Sequence, residues 1–308
     1  MSSRNIEVYS GLADLPKGNA PDTTVPGCIV LEGGAFRGLY TTGVLDAMMQ
    51  EGLNFECTVG VSAGALNGMN YVSGQIGRSA LANLGYRHDP RYVGGTSFKE
   101  NMGVIGFRFL FGDFEEVYPF DVKRFMNPKR RFIIVVTDMN TGKAVFCEKG
   151  ICRNTRQAIR ASASMPYVSK PVNVEGRPCL DGGCAVKIPF QWAIDEGYKK
   201  IVVVKTREDG YRRKEDAKEA KAAIPVYRDK FPAFAESLLT SNARSNEDLN
   251  EIDRLRDEGR IFVISPSKPV DVGRLESDME KLGDLYKLGF EDAKAAFPRL
   301  KEYLVKAE

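Results

Sequence analysis

The pentapeptide Gly60-Val61-Ser62-Ala63-Gly64 sets a hydroxyl between two glycines, directly after an apolar run of strand length and directly before a segment of helical character. A nucleophile elbow needs that context: a strand that stops abruptly, one residue at strained dihedrals, a helix that begins at once, and small neighbours that avoid a clash. The bare pattern is weak, since three fixed residues of these types arise by chance in roughly one or two of every ten chains this long. In context it is stronger. The positive N-terminal end of the helix and the N–H of Ala63 fall beside the Ser62 hydroxyl, where an oxyanion would form. The competing reading makes Ser62 a plain helix N-cap.

A second candidate is Glu32-Gly33-Gly34-Ala35-Phe36-Arg37-Gly38, again between a strand and a helix. Glycines let backbone N–H groups approach a ligand, and the following helix dipole favours negative charge, so the loop suits a phosphate or an oxyanion. Nucleotide binding is disfavoured. Gly38-Leu39-Tyr40 replaces the Gly-Lys-Ser/Thr of a Walker loop, and Ala35 takes the second glycine of a dinucleotide fingerprint. Parallel strands deliver their C-terminal ends to one edge of a sheet, which places this loop beside Ser62.

A serine nucleophile needs a base. The chain has one histidine, His88 in Tyr86-Arg87-His88-Asp89-Pro90, shortly after the Ser62 helix. A triad on an α/β-hydrolase sheet takes its histidine last in chain order, so His88 is badly placed. A carboxylate must then accept the serine proton. Asp181, in Cys179-Leu-Asp-Gly-Gly183 at the end of a short strand, is the best candidate, the bland alternative being that Asp-Gly-Gly is only a tight turn.

These loops need a scaffold. The 308 residues are 43% hydrophobic and 28% charged, enough apolar material for a sizeable core, and a net charge of +3 gives no concentrated basic face for nucleic acid. Short apolar strands at Cys28–Leu31 and Cys57–Val61, each followed by a turn and a helical pattern, form a βαβ unit. Further strands are expected at Arg131–Thr137, Ala144–Cys147, Ile201–Val204 and Ile261–Ile264, and their all-apolar runs predict a sheet covered on both faces. Residues 205–260 interleave basic and acidic residues in equal number, as helices with solvated faces do. The predicted organisation is an arm at 1–27 draped over the surface or partly disordered, a core at 28–205, and a mainly helical region at 206–308 with one strand at 261–264.

No signal-peptide or membrane-spanning run is visible, and six scattered cysteines fit a reducing compartment, so a cytoplasmic location is expected. Cys147-x4-Cys152 and Cys179-x4-Cys184 suggest a zinc site, but the second pair brackets the Asp181 turn, and no metal or cofactor is predicted. Residues 102–114 pack four aromatics and three glycines into 13 positions. That composition suits a helix buried against the core, a lid over an acyl pocket, or a shallow membrane contact.

Taken in order, the Gly33-Gly34-x-x-Arg37-Gly38 loop, the Ser62 elbow, the run Ala161-Ser-Ala-Ser-Met-Pro166 and the Asp181-Gly182-Gly183 triplet resemble the patatin-like phospholipase family over roughly residues 26–205. The resemblance implies a three-layer α/β/α sandwich with a mostly parallel central sheet and a helical C-terminal extension. It implies Ser62 as nucleophile with Asp181 as its dyad partner, and an oxyanion loop of Gly33, Gly34 and Ala35. Arg37 would brace that loop or meet an anionic head group. Ala35 stands where the family usually has a third glycine, so its methyl group is expected to hold the loop at negative φ. Phospholipid or glyceride esters are the implied substrates, with peripheral membrane contact. The alternative is a catalytically silent lipid- or protein-binding module on the same fold.

Overall fold

Alternation along the apolar strands decides which face of the sheet each side chain joins. A computed structural model describes residues 6–215 and 221–306; the first five residues of the expected arm, and 216–220 and 307–308 of the C-terminal region, lie outside the described residues. The strands are β1 (Gly18–Asn19), β2 (Val25–Leu31), β3 (Phe55–Val61), β4 (Gln75–Ile76), β5 (Arg131–Asp138), β6 (Ala144–Glu148), β7 (Val172–Val174), β8 (Arg177–Asp181), β9 (Ile201–Val204) and β10 (Phe262–Ile264). The main sheet has the order β10-β9-β2-β3-β5-β8-β7, with β6 also on β5. From β10 to β5 the neighbours are parallel, while β6 and β8 meet β5 antiparallel.

Ile29 and Leu31 of β2 and Val202 and Val204 of β9 point into one core with the helix α1 (Gly38–Gln50) and the C-terminal helix Met279–Val305. Cys28, Val30, Ile201 and Val203 point the other way, against Phe190 and Ala193 and against Ile252 and Leu255 of the helix Pro232–Asp257. The result is three layers, helices on both faces of one sheet. Almost every side chain of α1 is buried because it lies between the sheet and the C-terminal helix, which removes the usual polar stripe.

The N-terminal stretch is tighter than an arm draped over the surface. Tyr9, Leu15 and Ala20 are buried, β1 pairs with β4, and β2 begins at Val25, three residues before the expected start. Tyr9 fits because Gly283 leaves room: a Cβ there would lie 2.1 Å from the ring.

The aromatic segment 102–114 is core. Phe107, Phe109, Leu110 and Phe114 are buried, with Phe109 packed on the rings of Tyr86, Tyr92 and Phe114. The lid and membrane-contact readings of this segment are therefore set aside. Its rings found enough neighbouring aromatic surface to leave water, and burying each stabilises by roughly 1.5–3 kcal/mol.

Candidate active site

The register of β5 explains how a serine and a carboxylate 119 residues apart meet. Each strand has two sides, and β6 occupies one side of β5 from Ile133 to Thr137. Strand β3 takes the other side up to Val61↔Val135, and β8 takes it from Val136↔Asp181 onward, running the opposite way. The ends of β3 and β8 thus abut, and Ser62 faces Asp181. Ser62 Oγ donates to Asp181 Oδ2 at 2.6 Å.

The glycines of the turn are there for space. A Cβ on Gly60 would fall 2.5 Å from the Gly64 carbonyl oxygen, one on Gly64 2.5 Å from that of Leu31, and one on Gly182 2.2 Å from that of Val135. Ser62 itself takes φ 55° and ψ −121°, immediately before the helix α2 (Ala63–Val72). A non-glycine residue held there stores on the order of 1–3 kcal/mol. Part of the restraint is Ser162, whose Oγ accepts the Ser62 N–H at 2.9 Å and donates to the Val135 carbonyl at 2.6 Å. The Asp181 amide is tied to the neighbouring Ser164 carbonyl. The run Ala161–Pro166 thus supports both residues, a role its composition alone did not announce.

Asp181 Oδ1 accepts the Gly183 N–H at 2.8 Å. Burial pushes its carboxyl up to about 6, against the opposing pull of the Ser62 and Gly183 hydrogen bonds and of Lys187 and Arg274. A carboxylate with that affinity is a better proton acceptor than an exposed aspartate and is still ionised at neutral pH.

Beside Ser62, the glycine loop approaches closely: a Cβ on Gly33 would lie 3.0 Å from Ser62 Cβ. The Gly33 N–H is already directed to the Lys187 carbonyl at 3.4 Å, whereas the amides of Gly34, Ala35 and Ala63 have no hydrogen-bond partner among the described residues. Ala35 takes φ 49°, so the expectation of negative φ fails. The left-handed residue needs no glycine because the methyl group costs only about 1–2 kcal/mol there and the loop is clamped from beneath. The clamp is Glu32, buried, with Oε2 accepting from Thr206 N and Oγ1 and Oε1 accepting from Arg213 at 2.7 Å. Bracing therefore comes from Glu32 and Arg213, while Arg37 is buried with an unpartnered Nε.

Gly33, Gly34, Ala35, Ser62 and Asp181 line a cavity of about 560 Å³. Met165, Pro166, Val168 and Leu238 form an apolar wall, and the exposed side chains Tyr167 and Leu275 stand at its mouth. His88 lies elsewhere, its Nε2 against the Ser277 carbonyl. Among the described residues there is no group of three potential metal ligands, the six cysteines are unbridged, and no helix is long and apolar enough to cross a membrane.

The α/β/α sandwich thus carries a strained serine at a strand-to-helix turn, hydrogen-bonded to a carboxylate. Residues 29–194, more than half of the chain, match the family described as patatin-like phospholipase, and the chain belongs to that family. Residues 231–305 match a domain of unknown function, DUF6363. The chain is 27% identical over 275 residues to the uncharacterized protein YjjU of Escherichia coli (strain K12), covering 85% of this chain and 74% of that protein. The crystal structure of VipD from Legionella pneumophila is similar at a TM-score of 0.49 and 14% identity, covering 98% of this chain and 72% of that one.

Proposed function

We propose that the protein is a serine acyl-ester hydrolase, a phospholipase A or lipid acyl hydrolase, working through a Ser62–Asp181 dyad and an acyl-enzyme. The 2.6 Å bond between Ser62 Oγ and Asp181 Oδ2 at the strained turn carries this reading. Ser62 Oγ attacks the ester carbonyl carbon while its proton passes to Asp181 Oδ2. The negative oxygen of the tetrahedral intermediate is received by the N–H groups of Gly34, Ala35 and Ala63 and by the positive end of α2. Collapse breaks the ester C–O bond, and Asp181 returns the proton to the departing alcohol. Water then attacks the acyl-enzyme, giving a proton to Asp181, and the free acid leaves as Ser62 regains its hydrogen.

The apolar wall accommodates the acyl chain of a phospholipid or glyceride. Tyr167 and Leu275 make the peripheral contact with a lipid aggregate that the 102–114 segment, being core, does not. Labelling by a fluorophosphonate tests the reading. Ser62→Ala should abolish both labelling and hydrolysis of a lipid-ester panel while leaving the unfolding temperature nearly unchanged. Full turnover by that variant, or no labelling of the wild type, removes the proposal in favour of a silent binding module.

A further inference from the structure

One residue of the cavity wall touches three elements at once. Lys187, half-buried shortly after the Asp181 turn, donates from Nζ to the Gly183 carbonyl at 3.1 Å and to the Ser241 carbonyl of the helix Pro232–Asp257 at 3.4 Å. Its own carbonyl accepts the Gly33 N–H of the glycine loop at 3.4 Å. Gly183, whose N–H holds Asp181 Oδ1 at 2.8 Å, is thus held from its carbonyl side as well. The helix meets the same turn from the other direction: Arg244 Nη2 donates to the Cys184 carbonyl at 3.1 Å, and Ser237 Oγ to the same oxygen at 3.2 Å.

Among the described residues, the Gly183 and Ser241 carbonyls are the only groups within hydrogen-bond reach of Lys187 Nζ. Holding a cation on carbonyls alone carries a desolvation cost that no ion pair offsets, and a methionine would fill the space without it, so packing does not account for a lysine here. Burial brings the ammonium down to about 8, with repulsion from Arg213, Arg274 and Arg244 and an opposing pull from Cys184. Asp248, on the helix, also faces it. We infer that Lys187 is a positioning residue for the proposed hydrolysis, fastening the turn that carries Asp181 to the glycine loop on one side and to the helix Pro232–Asp257 on the other. Its charge adds to the fastening: Lys187 favours the ionised carboxylate of Asp181, as do Arg274 and the bonds from Ser62 and Gly183, while burial keeps the neighbouring Cys184 thiol neutral. The region matched to a domain of unknown function then has a part in the reaction, because a carbonyl of its long helix anchors the turn of the base. The inference rests on the hydrolase reading only for what the turn does.

Full-length Lys187→Met and Lys187→Arg proteins test it with a readout that needs no substrate. The Asp181 carboxyl is followed by carbon NMR against pH, its signal identified by its loss in Asp181→Asn. Removing the charge should move the midpoint up from about 6 by roughly half a pH unit or more, and Lys187→Arg should bring it back. At pH 7, kcat for a lipid ester should fall at least about tenfold in Lys187→Met with KM within about twofold, since the base is displaced and the acyl wall is not. Lys187→Arg should recover part of that loss. The unfolding temperature of Lys187→Met should not fall, because an ammonium whose proton affinity is below its unfolded value opposes folding at this pH. An unmoved midpoint, or a kcat within about twofold of the wild type, overturns the inference. So does a loss of activity matched by a fall in unfolding temperature, which would make Lys187 a packing residue. A midpoint that moves in a protein whose wild type turns over no ester removes the hydrolase reading alone and leaves Lys187 as the fastening of the turn.

Discussion

The sheet edge at Ser62 and the seam between α1 and the C-terminal helix are both crowded, but they are crowded differently. At the seam, backbones approach closely through glycines: a Cβ on Gly43 would lie 2.0 Å from the Tyr286 carbonyl oxygen, and one on Gly289 2.0 Å from that of Tyr40. Even its buried carboxylate, Asp46, accepts from Gly77 N and from the Tyr286 hydroxyl. At the edge, similar closeness leaves things open. Ser62 and Ala35 are held at positive φ, three amides have no partner among the described residues, and cations crowd a cavity. Strain and positive charge are concentrated at this edge, while the C-terminal helix, within the region matched to a domain of unknown function, packs tightly against α1.

The largest expected effect tests the edge. Asp181→Asn keeps the shape but cannot take the serine proton, so kcat should fall by at least ~100-fold. Stability should not fall with it. The folded-state affinity of Asp181 for its proton is raised above the unfolded value, so its ionised form opposes folding above about pH 6, and the amide removes that opposition. A variant that loses stability as well as activity at pH 8 would show that the edge is built like the seam.

The converse is Gly289→Ala. Its methyl group meets backbone that cannot swing aside, so unfolding should come roughly 3 kcal/mol more easily, read from a denaturant midpoint. Activity per folded molecule should stay within about twofold, because the methyl group meets the Tyr40 backbone and not a residue lining the cavity. A large fall in kcat without a fall in stability would mean that the C-terminal helix positions the loop directly.

How much of this contrast is legible in the sequence depends on reach. Ser62, Asp181 and the glycine loop announce themselves because a turn's chemistry is local: a few residues fix both the dihedrals and the group displayed. The Glu32–Arg213 clamp spans 181 residues of chain, and Lys187, Arg213 and Arg274 reach the cavity from stretches with no pattern of their own, so only the fold brings them together. Ala35 at positive φ escapes a rule of steric preference because tertiary contacts outweigh about 1 kcal/mol of strain. The 102–114 segment shows the limit of composition, since aromatic density describes a lid and a core equally well and only the neighbours decide.

A smaller effect compares the two buried carboxylates. Burial raises Asp46 to about 7, against the bonds from Gly77 and Tyr286. The stability that its neutral form contributes is fully present below the unfolded value near ~4 and is lost as pH rises through 7. Asp46→Asn should therefore raise stability by roughly 1 kcal/mol at pH 8 and change little at pH 4, checked by unfolding at both values. A loss at pH 8 would show that the ionised carboxylate, and not its neutral form, is what the seam holds.

The smallest effect is expected at His88, and it guards the interpretation of all the others. An acidic limb in the kcat/KM profile near pH 6 would ordinarily suggest an imidazole. Here the group with that affinity is Asp181, lifted by burial, and activity should rise with pH as it ionises. His88 sits against the Ser277 carbonyl and within 3.8 Å of Glu7, away from the residues lining the cavity. His88→Ala should leave kcat/KM within about twofold and the limb where it was, since a uniform surface change alters neither the base nor its surroundings. The limb should also shift little with temperature, as a carboxyl ionisation does and an imidazole ionisation does not. If the limb vanishes in His88→Ala while the protein stays folded, the proton acceptor is not Asp181, and the strained edge with its short serine–carboxylate bond needs a different explanation.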